Sequence, residues 1–481
     1  MKTTKTKSKL ATTIFSGLFA AIMASSVYAQ DFHQGYPANT KSVQNLYDEM
    51  DMQRATQAYM WSFPAVSFQS MYEGSKAEGL NYGDMIIADD YANSNSLFLT
   101  ANTTTIYAQS NFTLKDGPVV IDVPNARFVG MVDDYWQRSL TDIGLAGPDK
   151  GKGAKYFFVP PAYTGEIPSE GYIVIKATQN SHNFMIRGLV DNGDVAAAVA
   201  SMKKTKVYPY AERANPKPNS FVSLTDAKID TLPHVGLEYW QRLSNFINDN
   251  PVEERDRFFM ASLKFLGIEK GKPFNPDARQ KKILMEGAQL GDAMARATLF
   301  APRIEGAQVW EGRSWKWAVL LKPDQRGENY EQIDERLHWF YGAIYMTPAM
   351  ALRGPGPGSQ YIQTFVDSKH NWLDGANNYK LTIPANVPAK DFWSITLYDS
   401  ETRSLVQNKS TQPAVSSYDK LKVNADGSVD LYFAPKAPKG FESNWIETLP
   451  KKGFFVWLRA YHPTEGLFDG SWKLSDVERV K

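Results

Sequence analysis

Hydrophobic and polar positions change rhythm three times along the chain. From Val43 to Gln69 apolar residues recur at helical spacing, which predicts a helix until Pro64 removes a backbone donor. From Asp84 onward the pattern turns to short β runs. They cover Met85 to Ala88, Ser96 to Leu99, Thr104 to Asn111, Pro118 to Val123, Phe128 to Asp133, Lys155 to Val159 and Tyr172 to Lys176. Turn residues such as Asp116-Gly117-Pro118 and Pro160-Pro161 punctuate them, as expected of an antiparallel β domain. Helical spacing returns over Asp194 to Thr205, Gly236 to Asp249, Val252 to Leu266 and Asp277 to Phe300. Asn250-Pro251 and Asn275-Pro276 fit helix starts, with Asn as cap and Pro at the first helical position. The Arg353-Gly354-Pro355-Gly356-Pro357-Gly358 stretch breaks every pattern and reads as a loop, either a linker or the lining of a cleft.

From Tyr379 to Val480 alternation returns, densely aromatic, in Ser394-Ile395-Thr396-Leu397-Tyr398 and in Phe454 to Tyr461. Asp426-Gly427 between Leu421-Lys422-Val423 and the run Ser428 to Phe433 predicts a hairpin. Aromatic strands at this density, separated by Gly, Pro and Asn/Asp turns, specify a β-sandwich.

The N-terminus adds a compartment to this picture. Lys2, Lys5, Lys7 and Lys9 precede an apolar run from Leu10 to Met23 and the small-residue end Val27-Tyr28-Ala29, the order of a secretory signal peptide over residues 1–29. The expectation is an exported chain, periplasmic or secreted, with no membrane span after cleavage. An uncleaved anchor is the alternative, for which the apolar run is short. The formal net charge is +1, and loss of those four lysines takes it to −3. Such a near-neutral chain is not an electrostatic trap for nucleic acid. The chain contains no cysteine, which excludes disulfides, thiolate catalysis and Cys-ligated metals.

Local catalytic motifs are scarce. The six histidines, His33, His182, His234, His338, His370 and His462, show no metal-ligand spacing. There is no Gly-x-Ser-x-Gly elbow and no phosphate loop; Gly147 to Gly153 has the wrong spacing and reads as an exposed loop. Asp89-Asp90 and Asp133-Asp134 cannot act as dyads by themselves, because adjacent strand residues point to opposite faces. Asp134, beside Tyr135-Trp136 and Arg138, is the better candidate, with a structural ion pair as the competing reading.

Several segments resemble the paired bacterial domain families of unknown function numbered 1254 (N-terminal) and 1214 (C-terminal). The N-terminal resemblance rests on Asn102 to Tyr107, Gly117 to Pro124, Arg127-Phe128 and Asp133-Asp134-Tyr135. The C-terminal one rests on Tyr379 to Pro384, Phe392-Trp393-Ser394, Asp426-Gly427-Ser428, Asn444-Trp445, Leu458 to Pro463 and Gly470-Ser471-Trp472. Thr104 stands where similar members usually carry an acidic residue, so a metal or base role at that position does not transfer. Phosphoryl transfer to inositol polyphosphates is an activity suggested within the family.

Pattern and resemblance together imply an α+β multidomain chain. It would have an N-terminal β-rich, barrel-like domain over 50–190, a helical middle section over 191–352 and a C-terminal jelly-roll-like antiparallel β-sandwich over 360–481. The expected site is a cleft between the two β domains for a small polar or anionic ligand such as a phosphorylated cyclitol. Asp134 and Tyr107 are the catalytic candidates; Arg127, Asn102, Trp393, Asn444, Trp445, Arg459 and Tyr461 are the ligand-binding candidates. The arginines would orient an anion, and the tyrosines would hydrogen-bond it. The alternative is a non-catalytic glycan-binding or host-interaction protein that stacks sugars on Trp393 and Trp445. Cofactor, catalysis and oligomeric state stay open at this level.

Overall fold

The computed structural model describes residues 32–190, 194–224, 227–356 and 358–481; the expected signal segment lies outside them. A single helix, Thr40–Ala77, runs through the centre, opened by the Asn39 side chain accepting from the Ser42 N–H at 3.0 Å. Every residue from Trp61 to Met71 is buried, so this is a core helix rather than an amphipathic surface one. It does not stop at Pro64. Proline leaves Met60 O without its helical donor, and the carbonyls on either side take tertiary partners: Tyr59 O accepts from the Tyr239 hydroxyl at 2.7 Å and Trp61 O from Arg336 at 2.6 Å. Gln137 donates to Pro64 O at 3.0 Å.

Helices Leu237–Asp249, Arg257–Phe265, Ala278–Phe300 and Ile333–Gly342 surround the central one. Asn250 and Asn275 are not their caps. Asp277 caps the long helix in a reciprocal capping box with Gln280. Asn250 instead ends the preceding helix, and its side-chain oxygen accepts from the N–H groups of Asn180 and Ser181, both at 2.8 Å. An acidic N-cap follows each Asn-Pro step, Glu253 two residues after Pro251 and Asp277 directly after Pro276, which leaves the Pro in the approach rather than the first turn.

Each β-rich region is built of two open sheets. In the N-terminal one, a six-stranded sheet (Phe221–Ser223, Met85–Ile87, Ile106–Thr113, Ser181–Gly188, Phe128–Asp134, Ser139–Gly144, in spatial order) faces a four-stranded sheet. In the C-terminal one, the order is Lys316–Trp317, Ser359–Thr364, Phe454–Pro463, Ala389–Asp399, Ala414–Ser416, again opposite a four-stranded sheet. No closed barrel forms among the described residues: the outermost strands of both N-terminal sheets have a hydrogen-bonded neighbour on one side only. Ser96 to Leu99 contributes an isolated bridge, Leu97 to Asp230, rather than a strand.

Period-two alternation explains the layering. Ile106, Ala108, Phe184 and Ile186 point into the N-terminal sandwich, while Ile86, Met131 and Met185 point the other way, onto the helices. In the C-terminal sheet Ile395, Leu397, Val456 and Leu458 face inward, and Tyr361, Tyr398, Phe455 and Trp457 face the helices. Both larger sheets are therefore covered on both sides. The helical layer, which includes the central helix from the start of the described chain, lies between them.

The closest helix contact occurs where Gly287 and Gly291 meet the central helix. A methyl group at Gly287 would lie 2.5 Å from the Ala55 Cβ, and one at Gly291 would lie 2.7 Å from the Tyr59 ring. Gly287→Ala should therefore lower stability in urea unfolding. Overpacking costs about 1–3 kcal/mol, against the roughly 1 kcal/mol that alanine gains in helix propensity. A net gain would mean that the two helices do not need this approach.

Candidate functional site

The two-sided sheets leave a cavity of about 130 Å³ where they meet the helical layer. On one wall, Tyr107 and Arg187 are direct partners across neighbouring antiparallel strands, with the guanidinium 5.3 Å above the tyrosine ring. On the other, Tyr361 and Arg459 are partners in the same sense, 5.8 Å from guanidinium to ring centre. Each β region thus presents an arginine–tyrosine pair to the same space. The segment Phe98 to Asn102 and the turn after Gly342 close the sides.

Arg459 is 2 % exposed; it donates to Thr396 Oγ1 at 3.2 Å and to the Thr100 carbonyl at 3.0 Å. Arg187 Nε is buried without a hydrogen-bond partner. Among the described residues neither arginine forms an ion pair, and no Asp or Glu lines the cavity. Burial alone would hold the Tyr361 hydroxyl above the ordinary phenol range. Arg187 and Arg459 outweigh it and bring the group below that range. For Tyr461 burial prevails and pushes the hydroxyl up to about 12, against the pull of the same two arginines.

At the rim, the Asn102 side-chain nitrogen donates to the Tyr461 hydroxyl, and Thr104 donates to Asn102 Oδ1 from its hydroxyl at 2.7 Å and its N–H at 2.9 Å. Tyr461 stacks on Phe392, 3.9 Å between ring centres. Two lining residues, Thr100 and Tyr345, hold left-handed φ angles of 41° and 65°, a strain that only a well-supported site retains.

Behind Tyr345 lies a buried polar network. Its hydroxyl is shared between Gln109 Oε1, at 3.1 Å, and Asn183 Oδ1, and its N–H donates to Gln137 Oε1 at 2.7 Å. Asp133, fully buried, accepts from the Met346 N–H at 2.9 Å through one oxygen, while the other has no partner. Burial drives its carboxyl well above the ordinary aspartate value, with the nearby Asp134 acting in the same direction. Burial therefore favours the protonated form of Asp133 in the folded chain.

Of the residues expected at the site, Asn102, Tyr107 and Arg459 line the cavity, and Tyr461 is bonded to Asn102. The others lie elsewhere. Asp134 accepts from Arg138, at 2.8 Å from Nε and 3.0 Å from the backbone N–H, and Arg138 continues to Glu253 at 2.8 Å. Arg127 is exposed in the turn before Phe128–Asp134. Trp393 is 8 % exposed and belongs to the C-terminal core. Asn444 ties Lys422 to Asp430, and the Trp445 indole donates to Ala434 O at 2.8 Å. Arg187, Tyr361 and Tyr345 were not anticipated. The legible signal for Arg187 is a lone cation two positions beyond Met185 in an otherwise buried strand. Among the described residues no group of three or more His, Asp or Glu side chains could hold a metal ion.

Residues 83–209 match the family model described as protein of unknown function DUF1254, and residues 358–465 match the one described as protein of unknown function DUF1214. The two matches fall in that N-to-C order, and each matched region supplies one arginine–tyrosine pair. No curated protein matches the chain. Among solved structures, the VPA0106 protein from Vibrio parahaemolyticus is similar at 18% identity with a TM-score of 0.54, over 90% of this chain and 100% of its own. That likeness concerns the fold. A putative uncharacterized protein from Burkholderia cenocepacia aligns over 95% of this chain and 94% of its own at 11% identity, with a TM-score of 0.39.

The buried acid behind the cavity makes a pH prediction. Because the pKa of Asp133 is raised on folding, the stability it confers is present below its unfolded value of 3.8 and is lost as pH rises toward its folded value. Asp133→Asn keeps an acceptor for Met346 and cannot ionise. Its stability relative to the parent chain should climb as pH rises from 3.8 toward neutrality. A pH-independent difference in urea unfolding would show that Asp133 is ionised in the fold.

Proposed function

We propose that this chain is an exported protein that binds a small polar, anionic ligand in the cavity between its two β regions. The carrying observation is the presence of Arg187 and Arg459 in one cavity with no carboxylate among its lining residues. Burying a guanidinium without a counter-charge is costly, and two in one cavity favour an anion supplied from outside. In this reading the arginines hold the charge, Tyr107 and Tyr361 give hydrogen bonds, and Asn102 with Tyr461 forms the rim. Any proton transfer falls to Tyr361, the lining group whose proton the arginines loosen. Asp134, spent on Arg138, serves architecture instead. A jelly-roll-like C-terminal sandwich then acts as the rigid carrier of Tyr361 and Arg459. Stacking of glycans on Trp393 and Trp445 finds less support, since one ring is buried and the other is tied to the backbone.

A thermal-shift titration of the chain without its leader against small phosphates, phosphorylated cyclitols and carboxylates tests the reading. At least one anion should raise the melting temperature saturably, as mass action requires of a ligand that binds only the folded state. Arg187→Met should abolish that response while leaving the ligand-free chain at least as stable, because it removes an uncompensated cation. Thr104→Asp, placing a carboxylate within reach of Tyr461, should weaken the response without touching either arginine. Anion binding that survives both variants would sink the proposal.

A further inference from the structure

We infer that the ligand is a small monocarboxylate with an apolar body about the size of a benzene ring. The inference rests on the anion-binding reading above and narrows it. Three observations carry it: the order of side chains along the two walls, the balance of charge, and the volume.

Arg187 and Met185 lie two positions apart on one strand and face the same space, as do Arg459 and Trp457 on the opposite wall. Same-face neighbours on a strand are about 7 Å apart. Both walls therefore place a cation and, one step along, a large apolar side chain. Met131, Phe98 and Trp339 add to the apolar lining. A ligand satisfying both walls is charged at one end and apolar at the other.

The charge is small and its geometry is planar. Two guanidiniums and no lysine line the cavity, and a guanidinium matches a carboxylate through two parallel N–H donors. A cyclitol phosphate brings a ring of hydroxyls, each of which needs a partner once buried. The lining amide oxygens are already engaged: that of Gln109 accepts from Tyr345 and that of Asn102 from Thr104, while the Asn102 nitrogen donates to Tyr461. An apolar ring asks for none of these bonds. The volume of about 130 Å³ is close to that of an apolar protein cavity of about 150 Å³ that admits benzene.

Isothermal titration of the chain without its leader with benzoate, benzamide, acetate and inositol monophosphate tests this. Benzoate should bind saturably. Benzamide, which has the ring without the charge, and acetate, which has the charge without the ring, should each bind about tenfold or more weakly. Arg187→Met should weaken benzoate by a similar factor. If inositol monophosphate binds more tightly than benzoate and loses its affinity in Arg187→Met, the carboxylate inference is overturned while the anion reading stands. Acetate equal to benzoate overturns the apolar body alone. Benzamide equal to benzoate, or no binding by any of the four, overturns both.

Discussion

A helix with no solvent face sets the terms for everything packed around it. Between Trp61 and Met71 the central helix is buried on all sides, yet it contains a proline and several serines whose polar consequences must be met from elsewhere. Ser62 and Ser70 turn back onto carbonyls of their own helix, both at 2.7 Å. The rest of the demand falls on other elements, and those that answer come from different parts of the chain: Gln137 from the N-terminal sheet region, Tyr239 and Arg336 from two surrounding helices. Aromatic rings fill the remaining space, with Trp61 stacked on Phe259 at 4.5 Å and Phe63 against Tyr341 at 4.9 Å. The helix positions the layer, and the layer positions both large sheets.

The cavity follows from that arrangement. A sheet that must be apolar on one face for its own sandwich and must also cover helices on the other has little freedom for polar groups. Where such groups do occur on the second face, they concentrate in Tyr107, Gln109, Asn111, Asn183 and Arg187 on two adjacent strands. Part of this ribbon is self-satisfied, as when Asn111 Oδ1 accepts from both Tyr135 and Asn183. The arginine end is not, and it meets the corresponding end of the C-terminal sheet. Arg459 spans the junction physically, since it is anchored to Thr396 on its own sheet and to the Thr100 carbonyl from the opposite region.

Local sequence rhythm carries much of the fold. The strands Met85–Ile87, Val119–Val123 and Phe128–Asp134 lie within or beside their expected spans, as does the helix Ala278–Phe300. Misreadings arise where a distant partner decides. Pro64 would end an isolated helix, but tertiary donors hold the carbonyls on either side of the interrupted step; Ser96 to Leu99 has strand composition but no neighbouring strand to pair with for its length. The site was half legible for the same reason. Tyr107, Asn102, Arg459 and Tyr461 stand in recognisable aromatic-polar runs, whereas Arg187 and Tyr361 acquire meaning only once two strands far apart in sequence are set face to face. Asp134 and Asn444 show the reverse: polar residues inside well-marked segments, each fully engaged in holding its own neighbourhood together.

The position of the central helix near the beginning of the chain bears on how the protein is made. Its bond from Arg336 to Trp61 closes over 275 residues, and Tyr345, which packs on Phe68, arrives later still. As the chain leaves the ribosome the helix emerges well before the partners that complete its cover. Part of its aromatic flank, Phe63 and Phe68, waits for Tyr341 and Tyr345. Long-range closure of this kind slows folding and leaves apolar surface open to aggregation in the interval. Until residues beyond Tyr345 arrive, that flank of the helix lacks the hydrogen-bond and ring partners it has in the folded chain.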